Sequence, residues 1–98
     1  MKMVFLSYKE SMDDEVMDIL KELDIQAYTR WPEVQAKTRT GRPQMGTHIW
    51  PGYNSALMFS VEDEVAEALM SRVRAFNEAT KYEGITATCW AVDDFCCK

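Results

Sequence analysis

Two short segments of this chain are apolar on both of the faces that a β-strand presents. In Met3-Val-Phe-Leu6, Met3 and Phe5 point one way and Val4 and Leu6 the other; in Ala56-Leu-Met-Phe59, Ala56 and Met58 oppose Leu57 and Phe59. Side chains of a strand alternate between faces, so a sheet built on these strands needs cover on both sides. An antiparallel sheet with one face in water would instead alternate apolar with polar.

The rest of the pattern says what can supply that cover. Residues 3–8 read as a strand. Ser11 with Asp14 three positions on predicts a capping box, opening a helix whose apolar stripe is Met12, Val16, Ile19, Leu20 and Leu23 and whose end falls near Asp24. Residues 27–34 resume an extended pattern in which Trp31-Pro32 marks a bulge or a sheet edge. Residues 53–61 form the next strand. Ser60 with Asp63 repeats the cap signature, and Glu62, Asp63 and Glu64 place negative charge at the positive end of the helix dipole. Val65, Leu69, Val73 and Phe76 give that helix its buried face, Arg72, Arg74 and Lys81 lie towards its C-terminal half, and Gly84 is the expected stop. Residues 85–92 alternate as a last strand.

The order is β-α-β-β-α-β, which predicts an α+β, ferredoxin-like single domain over residues 1–98. Its antiparallel sheet carries two helices on one face and a long loop between strands 2 and 3. The helices can cover only one side of the sheet. No residues remain for the other, so the expected cover is a second copy of the chain.

Composition narrows the function. Eleven basic against sixteen acidic residues leave a net charge of −5, the wrong sign for a generic nucleic-acid coat. An RNA-recognition domain shares this element order, but it would show stacking aromatics and basic residues on its central strands, where this chain has Ala-Leu-Met-Phe-Ser-Val. The apolar run at residues 3–6 is far below the about 20 residues of a membrane span, and no signal segment is expected. Cys89, Cys96 and Cys97 bunch at one end, which is not a disulfide framework and fits a reduced, cytoplasmic protein.

The segment 35–53 stands apart. It holds three of the four glycines, two of the three prolines and the only histidine, and a connection this long without periodicity is commonly functional. No acidic residue lies between Glu33 and Glu62, while Lys37, Arg39 and Arg42 are basic. Cations, glycine backbone amides and threonine hydroxyls suit a phosphate or carboxylate. A purely solvated loop would not need Met45, Ile49 and Trp50, so Met45, His48 and Trp50 are read as a docking surface for a partner. The segment is no Walker loop, since no glycine is followed by lysine and a hydroxyl residue. His48 with Cys96 and Cys97 is a weaker metal set, because structural zinc sites space their cysteines by two to four residues. With one histidine, in a loop, no catalytic constellation is readable and no enzyme is expected.

Taken together the chain resembles the PII-like signalling proteins, in the superfamily of the nitrogen-regulatory PII proteins, over nearly its full length. The resemblance rests on the element order, the long loop between strands 2 and 3, and Ile25-Gln26-Ala27-Tyr28-Thr29 running into Glu33-Val34. It implies a homotrimer with sheets facing inward, adenine nucleotides bound in clefts between subunits, and the 35–53 segment acting as the family's T-loop on a partner such as a membrane transporter. It places Thr29 near the adenine and Arg39 at the base of the loop; with Lys37 and Arg42 of the basic run, these are the expected ligand-binding residues. The chain departs from the family where Ala36-Lys37-Thr38 replaces a glycine-rich stretch, where a phosphate-cradling run is reduced to Glu83-Gly84-Ile85, and in having no C-terminal arginines. The alternative in the wider superfamily is a CutA-like trimer handling heavy metals.

Overall fold

The computed structural model describes every residue except those at positions 40, 41 and 50, so the expected docking residue Trp50 lies outside the described residues. The elements are β1 (Lys2–Lys9), a 3-10 turn (Glu10–Met12), α1 (Asp13–Glu22), β2 (Thr29–Val34), β3 (Asn54–Val61), α2 (Asp63–Ala79) and β4 (Ile85–Ala91). Among the described residues the strands form one sheet in the order β2-β3-β1-β4, with every neighbouring pair antiparallel. This is the expected ferredoxin-like arrangement.

One face of the sheet is sealed. Across it run Val4 with Phe59 and Cys89, Leu6 with Leu57 and Ala87, and Tyr8 with Ser55 and Ile85. They share a core with Val16, Ile19 and Leu20 of α1 and with Leu69 and Val73 of α2. Leu57, Leu69 and Val16 have no exposed surface at all, and cutting such a leucine to alanine costs about 2–5 kcal/mol.

The opposite face carries the second apolar set. Its rows are Trp31-Ala56-Ser7-Thr86, then Thr29-Met58-Phe5-Thr88, then Ser60-Met3-Trp90. Trp31 is 41% exposed and Trp90 44%. Both helices pack on the sealed face, and among the described residues Trp31, Met58, Phe5, Met3 and Trp90 make a diagonal apolar band on this one. Such a band is more apolar than the polar alternation expected of an antiparallel sheet face left to water.

The edge strand β2 breaks register between Trp31 and Val34, as Pro32 requires, because it has no N–H for the ladder. The Ser55 hydroxyl donates to the Pro32 carbonyl at 2.8 Å, satisfying an acceptor the ladder misses.

The helix boundaries correct the sequence reading. Neither capping box forms: the N-cap positions are Met12 and Glu62, without side-chain caps. Ser11 lies inside the 3-10 turn, and the first turn of α1 is held from the sheet instead, by the Tyr8 phenol donating to Asp13 Oδ1 at 2.7 Å. The Ser60 hydroxyl turns towards Met3 Sδ, 3.8 Å away. Acidic first turns are present in both helices, but the last turn of α2 has no basic residue. Arg72 pairs across to Glu22 of α1 at 3.1 Å. The helix stops at Ala79, ahead of Gly84, with the Thr80 hydroxyl donating to the Phe76 carbonyl at 3.1 Å.

Candidate functional site

The 35–53 segment is not one open loop. Ala36 and Gln44 form an antiparallel bridge, their N–H groups donating to each other's carbonyls at 2.8 and 2.6 Å. Gly46 N–H then donates to the Gly52 carbonyl at 2.8 Å. The two closures separate a basic first lobe, described at residues 37–39, 42 and 43, from a second lobe, described at residues 47–49 and 51. Between them sits Met45, whose carbonyl accepts from Gln35 Nε2 at 2.9 Å. The second closure depends on glycine: Gly46 has φ +64, and a Cβ there would run into the Tyr53 ring. Glu10 N–H donates to the Tyr53 carbonyl at 3.1 Å, fastening the end of the segment over the 3-10 turn.

The first lobe faces the turn between α2 and β4 across a cleft of about 810 Å³. Ser7, Tyr8 and Asn54 contribute from the sheet, Thr38 and Arg42 from the lobe, Gln44 from the bridge at its base, and Lys81, Tyr82 and Glu83 from the turn. Lys9 also lines the cleft. Three cations, Lys9, Arg42 and Lys81, thus meet one acid, Glu83, and none of the three is in an ion pair among the described residues. Such a lining attracts an anion, and cation-to-anion hydrogen bonds are the strong ones.

Gln44 Oε1 in the lining is buried with no hydrogen-bond partner among the described residues, whereas the groups on the sheet beneath are paired. Asn54 Nδ2 donates to the Ser7 hydroxyl at 2.9 Å. The Tyr8 phenol is 1% exposed and donates to Asp13, whose other oxygen accepts Arg30 Nη2 at 2.9 Å. Burial, and then the hydrogen bond to the Asp13 carboxylate, push the phenol well above its usual pKa. It stays protonated and acts as a fixed strut.

The turn itself is closed by side chains. Asn77 makes both strand-like bonds to Ile85: its Nδ2 donates to the Ile85 carbonyl at 2.9 Å, and its Oδ1 accepts the Ile85 N–H at 2.8 Å. Gly84 leaves room for this, since a Cβ there would lie 3.3 Å from Asn77 Oδ1. The single Thr80 hydroxyl proton is shared between the Phe76 and Glu83 carbonyls. Lys81 and Tyr82 are left at the tip, with Lys81 Nζ 5.3 Å above the centre of the Tyr82 ring.

Of the residues expected to bind a ligand, Arg42 lines the cleft. Lys37 and Arg39 are exposed on the same lobe outside that lining, and Thr29 is on the open face of the sheet beside Met58. Met45 is half-buried at the junction of the lobes, while His48 is exposed on the second. Cys96 and Cys97 are exposed free thiols, and Cys89 is half-buried against the core. No group of three His, Cys, Asp or Glu side chains is placed to hold a metal among the described residues, so the structure does not bring His48, Cys96 and Cys97 together as a ligand set. Lys9, Lys81, Tyr82 and Asn77 escaped the sequence reading. Only the Lys81-Tyr82 pair carried a signal there, as a cation beside an aromatic between a helix and a strand.

No protein-family model matches the sequence, and no curated protein matches it. Solved structures do. The chain is similar to CPII, a nitrogen regulatory PII-like protein from Thiomonas intermedia K12, bound to ADP, AMP and bicarbonate. The TM-score is 0.69 at 16% identity, covering 95% of this chain and 88% of that one. It is similar to the apo form of CPII with a TM-score of 0.63 at 14% identity, covering 93% and 89%. A candidate PII-like signalling protein from Thermus thermophilus matches with a TM-score of 0.64 at 21% identity, covering 91% and 83%. The fold is therefore that of the PII-like proteins.

Proposed function

We propose that the chain is a divergent PII-like regulator, non-enzymatic and cytoplasmic, that assembles as a homotrimer and senses a small anionic ligand. The observation that carries the reading is the convergence of Lys9, Arg42 and Lys81 on one cleft walled by the first lobe of the loop. That ligand is an adenine nucleotide in this proposal, and the binding of ADP and AMP by CPII supports the choice. The apolar band on the open sheet face is the trimer interface. Assembly there carries Thr29 into a subunit boundary, and we assign Lys37 and Arg39 to the same boundary. The second lobe docks through His48 on a partner such as a membrane transporter, Trp50 being assigned to the same role from the sequence alone, and the bridge at Ala36 and Gln44 transmits ligand state to it.

Native mass spectrometry with ADP tests this. The expected result is a trimer gaining up to three nucleotides, with Arg42→Ala and Arg39→Ala each weakening uptake about tenfold or more while the trimer persists. A monomer in every condition, or a trimer indifferent to ADP, would sink the proposal. A trimer that takes up zinc but no ADP would promote metal handling in its place.

A further inference from the structure

We propose that Tyr82 is the platform on which the base of a nucleoside phosphate stacks, and that Lys81 leaves the ring to meet the phosphate when the ligand enters. The inference rests on the cleft assigned above and adds what recognises the non-phosphate half of the ligand.

Three observations carry it. Tyr82 is 89% exposed, yet it lines the cleft beside the cations, so its ring face is available to a ligand rather than to the core. The turn that presents it is fastened at both ends. Asn77 is bonded twice to Ile85 and Thr80 closes on Glu83, so the backbone that carries Tyr82 is held while its ring stays in solvent. Finally, the face of the ring is covered by the Lys81 ammonium, with Nζ 5.3 Å from its centre. A cation over an aromatic ring at an exposed site is a weak contact. A charge-assisted bond to phosphate is stronger, so an incoming phosphate outcompetes the ring for Lys81. The exchange uncovers a flat aromatic face within the length of one side chain of the phosphate site.

A small carboxylate or bicarbonate would use the cations and ignore the ring. A nucleoside phosphate uses both, and the Lys81-Tyr82 pair thereby selects for ring-bearing anions. Stacking tolerates any base, because every base has a π-face; identity of the base is not read here.

Calorimetric titration with ADP and with inorganic pyrophosphate, on the wild-type protein and on Tyr82→Ala, Tyr82→Phe and Lys81→Ala, decides the matter. Tyr82→Ala is expected to weaken ADP about tenfold or more and leave pyrophosphate unchanged. Tyr82→Phe should restore ADP affinity, and Lys81→Ala should weaken both probes. If the wild type binds ADP and Tyr82→Ala binds it equally well, the platform is refuted while the cleft stands. If Tyr82→Ala weakens both probes alike, the ring serves only to position Lys81, and stacking is refuted. A wild type that binds neither probe overturns the nucleotide-sensing reading and this inference with it.

Discussion

The connections at residues 23–28 and 80–84 hold equivalent places in the two βαβ halves, each leading from a helix into an edge strand. They are closed by different means. The first is closed by backbone. Leu23 N–H donates to Ile19, Asp24 to Lys21 and Ile25 to Leu20, with Asp24 in the left-handed region at φ 55 and Ile25 driven into the core at 7% exposure. The second is closed by the side chains of Asn77 and Thr80, and it leaves a lysine and a tyrosine in water. The backbone closure commits its apolar residue to the core, and the hollow of about 550 Å³ beside it, lined by Lys21, Asp24, Gln26 and Tyr28, offers a single cation against the three of the cleft. A side-chain closure frees the tip to carry chemistry, and the cleft lies on that side.

The contrast can be broken at either end. Ile25→Ala removes the plug of the first connection and is expected to cost about 2–5 kcal/mol, read as a lower urea midpoint with unchanged ADP affinity per folded protein. Asn77→Ala leaves the Ile85 N–H and carbonyl without their partners, at about 1–3 kcal/mol. Unlike the first variant, it should also loosen ADP binding, because the tip is no longer held. If Asn77→Ala lost stability but kept its affinity, the division between a structural and a functional connection would fail.

A finer test lies under the cleft, where Tyr8 pairs with Ile85 in the sheet register. Tyr8→Phe gives up a hydrogen bond to a carboxylate, about 1–2 kcal/mol at neutral pH. Burial and Asp13 raise the folded phenol above its ordinary value, whereas the unfolded phenol ionises near pH 10. The stability it contributes is therefore intact below about pH 10 and is lost as pH rises beyond, since the unfolded chain gives up the proton first. Wild type should lose more stability than Tyr8→Phe over that alkaline range. Equal slopes would show that the strut does not feel its surroundings.

Much of the fold was legible in the sequence because burial along a strand or helix is a local, periodic signal. Both parities of residues 3–6 and 56–59, and the stripe from Val16 to Leu20, needed nothing beyond spacing. What failed were the helix ends. Ser11 and Ser60 had the right neighbours for caps, but Asp13 was engaged from β1 by Tyr8, and the end of α2 was set by Thr80 and Asn77 rather than Gly84. These outcomes depend on what another element brings alongside. The site was half legible for the same reason. Arg42 announced itself as part of a basic run, whereas Lys9 and Lys81 are isolated cations at opposite ends of the chain, and only the pairing of β1 with β4 brings them to one cleft.

The bridge between Ala36 and Gln44, followed by the closure of Gly46 on Gly52, has an evolutionary consequence. Each closure seals its own lobe, so residues can be inserted, deleted or exchanged within one lobe while the stem of the other keeps its geometry. If, as proposed, the first lobe senses the ligand and the second docks the partner, a lineage could re-address the second lobe to a new target and inherit the ligand response unaltered. It could equally retune the ligand without losing the target. Input and output then drift independently, although fewer than twenty residues of chain hold both.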